Sequence, residues 1–232
     1  MKKISFLFLT ILISACALDV TKKENFEETK LLSSLSDKYV GIELNNSYQW
    51  RGIPYAQPPK DSLRWKAPRA LRVQKETVKA LEFGNSCPQV PSISLDRGGN
   101  GEYTGSEDCL YLNIFTPKKL SSDKKLPVMF WIHGGGNTSG EAASYDFNKL
   151  ASAHDLVIVS INYRLGFLGW FYHPAFAATS NNLEDKSGNF GTLDQIMALK
   201  WVKQNIEDFG GDKNNVTIFG ESAGGHNVFA LL

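Results

Sequence analysis

The chain has 232 residues, 42% of them hydrophobic, 12% aromatic and 21% charged. That length suits one domain, and the apolar share is enough for a substantial core. A formal net charge of +1 excludes a strong electrostatic case for nucleic-acid binding.

The N-terminus reads as a targeting segment. Lys2-Lys3 form a basic start, and residues 4–13 form an apolar stretch too short to span a bilayer as a helix. Ile13-Ser14-Ala15-Cys16 resembles a bacterial lipobox, in which Cys16 becomes the first mature residue and carries lipid. Ordinary secretion is the alternative, because Ala15-Cys16-Ala17 is also an A-x-A cleavage pattern. The expected organisation is a signal segment over 1–16, a polar tether over 17–36 and one domain over 37–232. The lipoprotein reading predicts export, with the membrane contacted only through the lipid anchor.

Residues 41–50 and 51–56 read as short β structure broken at Pro54, followed by a turn at Pro58-Pro59. Residues 85–106 are rich in Asn, Ser, Pro and Gly and read as a loop. Residues 110–115 form a strand, and 121–125 a charged turn. The run 126–132 is a buried-strand pattern, followed directly by His133-Gly134-Gly135-Gly136. A helix is expected near 144–153. The run 156–161 is apolar but for Ser160, as in a strand covered on both faces. Apolar residues at 193, 196, 197, 201, 202 and 206 mark one face of a helix over 193–208. Thr192 and Gln195 fit a capping box at its start, and Gly210-Gly211 a stop at its end. Strand, helix and strand in alternation imply an α/β architecture with a mainly parallel sheet.

The last predicted strand, 216–219, runs into Gly220-Glu221-Ser222-Ala223-Gly224. A G-x-S-x-G between a strand and a helix is the nucleophile-elbow pattern, which exposes the serine hydroxyl at the top of a sheet. By itself it also fits a glycine-rich turn with a surface serine. The glycine run 134–136 sits at the end of another predicted strand, where backbone N–H groups of Gly135 and Gly136 can join that of Ala223 as an oxyanion hole. Two complementary motifs, each at a strand end, favour acyl transfer through Ser222. The chain has no histidine–cysteine cluster with zinc spacing and no phosphate-binding glycine loop with its lysine, so neither a metal nor an organic cofactor is expected.

The motifs come in an order that resembles the type-B carboxylesterase/cholinesterase family of α/β-hydrolases. They are Gly52-Ile-Pro-Tyr-Ala56 with Pro58-Pro59, Glu107-Asp-Cys-Leu-Tyr-Leu-Asn-Ile114, Trp131-Ile-His-Gly-Gly-Gly136, Asn162-Tyr-Arg-Leu-Gly166, Gly188-Asn189 with Asp194-Gln195, Phe209-Gly-Gly-Asp212 and Phe219-Gly-Glu-Ser-Ala-Gly-Gly225. The resemblance implies an α/β-hydrolase fold and a carboxylic ester hydrolase acting on a small-molecule ester. Ser222 would be the nucleophile, and Gly135, Gly136 and Ala223 the oxyanion hole. Glu221 would line the pocket beside it, and His133 would line the pocket and orient the glycine loop. It also implies a disulfide between Cys87 and Cys109, with two reduced thiols as the alternative. Arg64 with Glu107, and Arg164 with Asp194, would be structural ion pairs.

A serine needs a base, and in α/β-hydrolases the acid and the histidine follow the nucleophile in chain order. After Ser222 the chain holds no acid and one histidine, His226, where the resemblance places a small residue. His154 and His173 read as surface residues. The resemblance therefore implies the N-terminal part of a longer hydrolase, its sheet incomplete at the C-terminus and inactive alone. A non-catalytic exported binding protein, or an inactive truncated product, is the alternative. The sequence departs from the family pattern at Asp61, where glycine is usual, and at Asn137, where an apolar residue is common.

Overall fold

The computed structural model describes residues 39–71, 77–90, 102–120 and 124–232. The signal segment with Cys16 and the tether lie outside the described residues. So do parts of the 85–106 loop and of the 121–125 turn.

The strands are β1 (Tyr39–Val40), β2 (Ile42–Glu43), β3 (Ser47–Pro54), β4 (Val78–Lys79), β5 (Tyr111–Pro117), β6 (Leu126–Ile132), β7 (Val157–Ile161) and β8 (Gly211–Gly220). The helices are α1 (Asn148–His154), α2 (Gly166–Gly169), α3 (Pro174–Ala177), α4 (Phe190–Asn205) and α5 (Ala223–Ala230). β1 and β4 form a small parallel pair. The other six strands form one sheet in the order β2-β3-β5-β7-β6-β8.

This is an α/β sheet of mixed direction. β7, β6 and β8 are parallel, while β2, β3, β5 and β7 pair antiparallel in succession. The connections explain the division. Parallel neighbours require a long crossover, supplied by α1 between β6 and β7 and by α4 between β7 and β8. The β2–β3 connection is a tight hairpin, closed by the Leu44 N–H donating to the Ser47 carbonyl at 2.9 Å. The parallel pairing is thus confined to the half of the sheet that carries the two glycine motifs.

The helices cover both faces. On one, Ala151 of α1 packs with Phe115 and Ile158. On the other, Ala198, Trp201 and Val202 of α4 pack with Trp50, Ile114, Val128, Phe130 and Val159, and Val228 of α5 joins them. β7 is buried along its whole length, in keeping with its apolar run.

Three details correct the sequence reading. The long helix starts at Phe190 and its N-cap, Asn189, makes no side-chain cap, so the Thr192–Gln195 capping box does not form. The Thr192 hydroxyl instead accepts a hydrogen bond from Trp170 Nε1 at 3.2 Å. Gln195 is buried inside the helix with no hydrogen-bond partner for its side chain among the described residues. The start is pulled earlier by packing: a Cβ at Gly191 would meet the Trp170 ring at 2.5 Å. The second correction is β8, which begins five residues before 216, with its pairing to β6 interrupted between Gly211 and Val216. The third is the helix near 144–153, which divides into a 3-10 turn at Ala142–Ser144 and α1. The expected stop holds: after a 3-10 turn at Ile206–Phe209, Gly210 adopts φ 84°.

Two cross-links tie segments far apart in sequence. Cys87 and Cys109 form a disulfide. Arg164, just after β7, makes a bidentate pair with Asp194 of α4 at 2.8 and 2.7 Å, and its backbone N–H adds a third hydrogen bond at 3.1 Å. Both side chains are almost wholly buried. Burial pushes the Asp194 carboxyl up, and the guanidinium and N–H donors oppose it. Removing one partner of such a pair costs about 3–5 kcal/mol because the other charge is left buried and unpaired. The Arg64–Glu107 pair is present too, but it is partly exposed and contributes far less.

Candidate active site

β6 and β8 lie side by side and parallel, with Ile132 opposite Gly220 in register. The chain leaves both strands at the same edge. From β6 it enters His133-Gly134-Gly135-Gly136, and from β8 it turns through Glu221 and Ser222 into α5. The two motifs are therefore brought together by strand register, in the crevice beyond the carboxyl ends of the strands where α/β folds carry their sites.

Ser222 caps α5 with φ 54° and ψ −121°, in a region L-residues rarely occupy, and its side chain is exposed. Such a conformation costs about 1–3 kcal/mol and persists only where its surroundings enforce it. Here the enforcement is the closeness of α5 to β6. A Cβ at Gly224 would sit 2.0 Å from the Ile132 carbonyl oxygen, and one at Gly220 would sit 2.5 Å from the Gly224 backbone. The outer glycines of the G-x-S-x-G are the points where strand, turn and helix touch backbone to backbone. Behind the turn, Phe219 packs on Trp131 with ring centroids 4.8 Å apart.

The glycine loop closes against this turn. A Cβ at Gly134 would meet Glu221 Oε2 at 2.6 Å and Ser222 Cβ at 3.2 Å. Gly135 has φ 99°, and a Cβ there would strike the Ser139 carbonyl oxygen at 2.2 Å. That carbonyl faces Gly135 because the Thr138 and Ser139 N–H groups both donate to Gly135 O at 3.0 Å. Among the described residues, the N–H groups of Gly135, Gly136 and Ala223 donate to no protein acceptor. Gly135 and Gly136 are exposed and Ala223 is buried at the start of α5.

His133 lies underneath. It is 1% exposed, so its ring is packed below the loop instead of lining an open pocket. Its Nδ1 donates to the Gly134 carbonyl at 2.8 Å, which sets the tautomer and leaves Nε2 without a partner among the described residues. The ring stacks on Tyr163 at 4.4 Å. Burial depresses the imidazole pKa to about 4, so it is neutral at pH 7. The Tyr163 hydroxyl donates to the His133 carbonyl at 2.6 Å, and burial raises its pKa. Tyr163 thus holds the loop from the end of β7, a role the Asn162–Gly166 motif does not by itself specify. The signal available in sequence was its position directly after an apolar strand adjoining β6.

The remaining candidates are not gathered here. His226 is exposed on α5, and its ring makes no hydrogen bond to Ser222 among the described residues; only its N–H reaches back, to the Ser222 carbonyl at 3.1 Å. His154 is exposed at the end of α1, and His173 is exposed with Nδ1 capping α3. Glu221 is exposed beside Ser222. No group of His, Cys, Asp and Glu able to hold a metal occurs among the described residues.

A parallel strand pair ending in an elbow serine and a facing glycine loop defines the α/β-hydrolase fold. Residues 34–232 match the model of the Carboxylesterase family, and the chain belongs to that family. It is 43% identical over 205 residues to the para-nitrobenzyl esterase of Bacillus subtilis, covering 88% of this chain and 40% of that protein. It is 43% identical over 188 residues to liver carboxylesterase 1 of Oryctolagus cuniculus, covering 78% of this chain and 32% of that protein. A solved PNB esterase structure superposes with a TM-score of 0.72 at 44% identity, over 82% of this chain and 38% of that one. The chain thus spans well under half the length of these relatives.

Two outcomes follow from the packing. Gly224→Ala should lower unfolding stability by several kcal/mol, because its methyl would displace the β6 backbone. Gly225→Ala, whose Cβ would meet nothing closer than 3.5 Å, should be neutral or stabilise by about 1 kcal/mol through helix propensity. Urea unfolding of the two variants checks the contrast, and equal effects would contradict the backbone contact. The second outcome concerns His133. Between pH 6.5 and about 4 the unfolded chain binds a proton that the folded one refuses. Stability should therefore fall as pH falls through that window, by about 1.4 kcal/mol per unit at most. The difference between the unfolding free energies of the parent and His133→Asn, measured from pH 7 to pH 4.5, isolates this component; a flat difference would refute it.

Proposed function

We propose that the chain carries the nucleophile half of a carboxylic ester hydrolase. The observation that carries this reading is Ser222 itself: exposed and held at positive φ between β8 and α5, beside a glycine loop whose Gly135 and Gly136 N–H groups have no acceptor among the described residues. Ser222 Oγ attacks the ester carbonyl carbon as a base takes its proton, and the carbonyl π electrons move to oxygen. The resulting oxyanion lies on the N–H groups of Gly135, Gly136 and Ala223. Losing one such donor typically costs about 2.7–4 kcal/mol of barrier lowering. Collapse expels the alcohol and leaves an acyl-enzyme, which water cleaves by the same route. Glu221, beside the nucleophile, acts through its charge on the imidazolium formed during proton transfer.

The reading assigns the acid and the histidine to sequence beyond residue 232. Two facts support this: no described side chain hydrogen-bonds Ser222 Oγ, and the chain spans 40% of the Bacillus subtilis relative. The 232-residue chain should show no Ser222-dependent turnover of p-nitrophenyl acetate. A polypeptide continued to the length of the relatives should react with a fluorophosphonate probe at Ser222, and Ser222→Ala should not. Absence of labelling in the folded longer protein would sink the hydrolase reading. Turnover by the 232-residue chain that disappears in Ser222→Ala would sink the assignment of the base elsewhere.

From the basic start, the apolar stretch and the lipobox pattern of the N-terminus, we further propose that the protein is exported as a lipoprotein anchored through Cys16. The Cys87–Cys109 disulfide supports an oxidising compartment. Labelled palmitate should enter the parent and not Cys16→Ser; no incorporation in a bacterial host that lipidates its own lipoproteins would favour simple secretion.

A further inference from the structure

A loop of consecutive glycines has no side chains with which to hold itself in place. Glycine loses more conformational freedom on ordering than any other residue. Donors in an oxyanion hole must nevertheless be held to within about 0.5 Å. The loop must therefore be fixed from its ends. Its first end is fixed by His133, buried and bonded to Tyr163. Its second end is Asn137.

Asn137 has φ 59°, continuing the positive-φ run of Gly135 and Gly136. Asparagine tolerates that conformation better than most residues with a side chain. It also supplies an amide where the resemblance leads one to expect an apolar group. Its main-chain carbonyl accepts from the Gly166 N–H at 2.7 Å. Its side-chain Oδ1 accepts from Asn227 Nδ2 at 2.9 Å, with the reciprocal Nδ2–Oδ1 contact at 3.4 Å. Tyr163 Oη stands 3.4 Å from the same Oδ1. Asn227 is 6% exposed and lies on α5, the helix that Ser222 caps.

We propose that Asn227 and Asn137 form a polar latch that ties the glycine loop to the nucleophile helix and so positions the Gly135 and Gly136 amides relative to Ser222. Both are positioning residues: neither is assigned a contact with substrate, and each acts through the backbone it holds. The latch joins the two halves of the site directly, a link from loop to nucleophile helix that strand register and the loop's own backbone bonds do not supply. It rests on the ester-hydrolase reading for its purpose, though not for its existence.

The polarity of the bond provides the test. In the 15N-labelled 232-residue chain at pH 7, the Gly135 and Gly136 amides should have order parameters near 0.85, the level of rigid backbone. Asn227→Leu keeps the bulk but removes both donor and acceptor, and Asn227→Ser is too short to reach. In both, the order parameters of Gly135 and Gly136 should fall below about 0.6. The amides of Phe130 and Val159 in the central strands should not change. Asn137→Asp keeps the acceptor and the tolerance of positive φ, and should keep the loop rigid. The latch is overturned if Gly135 and Gly136 stay rigid in both Asn227 variants. It is equally overturned if Phe130 and Val159 loosen alongside them, or if Asn137→Asp loosens the loop as much as Asn227→Leu does. Order parameters are read without substrate, so they judge the latch independently of esterase activity. A failure of fluorophosphonate labelling at Ser222 in the longer protein would count against the hydrolase reading alone.

Discussion

The contact between the backbone of α5 and the end of β6 governs the rest of the site. With 2.0 Å between the Ile132 carbonyl oxygen and the place a Gly224 Cβ would occupy, the helix can start only where no side chain intervenes. That closeness leaves the chain too little length for a relaxed turn out of β8, so Ser222 takes up φ 54°. The strain is local, while the contacts enforcing it belong to a well-packed parallel pair. Phe219 on Trp131 and the Val128–Val216 to Ile132–Gly220 register hold β8 in place under the turn. Exposure of the hydroxyl is thus a by-product of packing geometry, achieved without any residue devoted to pushing it outward.

The glycine loop answers a different requirement. It must present N–H groups outward and still remain ordered, and the structure meets this by burying polar anchors beneath it. His133 loses its exposure and its basicity, with a pKa near 4, and becomes a neutral plate between the Gly134 carbonyl and the Tyr163 ring. Its neutrality follows from burial, which penalises the charged imidazolium beneath the loop. Arg164, one residue beyond Tyr163, fixes the end of β7 through Asp194 of α4. The anchoring therefore runs from α4 through the end of β7 to the loop, and from α5 through Asn227 to its far side.

How much of this was legible in sequence depended on whether apolar pattern or polar partnership did the shaping. β6 and β7 were readable because long, almost purely apolar runs admit few other buried arrangements, and the elbow because its glycines have a steric job. The start of β8 was hidden by the polar stretch Asp212–Asn215, which lies in the interrupted part of its pairing with β6. The start of α4 was misread because Thr192 and Gln195 mimic a cap, while the packing of Gly191 on Trp170 decides where the helix begins. The strands of the antiparallel half were readable but their direction was not, since polar side chains buried there, such as Gln49, which is 1% exposed and accepts a hydrogen bond from Arg51, blur the alternation that marks antiparallel strands. Asn227 carried no signal, because its hydrogen bond to Asn137 across 90 residues leaves no trace in local pattern.

The account stands or falls on the geometry around Ser222. A high-resolution crystal structure of the 232-residue chain, grown with a small anion present, tests it most directly. The account predicts Ser222 at positive φ, with a water or anion oxygen within about 3.1 Å of the N–H groups of Gly135, Gly136 and Ala223 at once. A relaxed Ser222 with its hydroxyl turned into the domain, or amides that diverge so that no single oxygen reaches them, would contradict it.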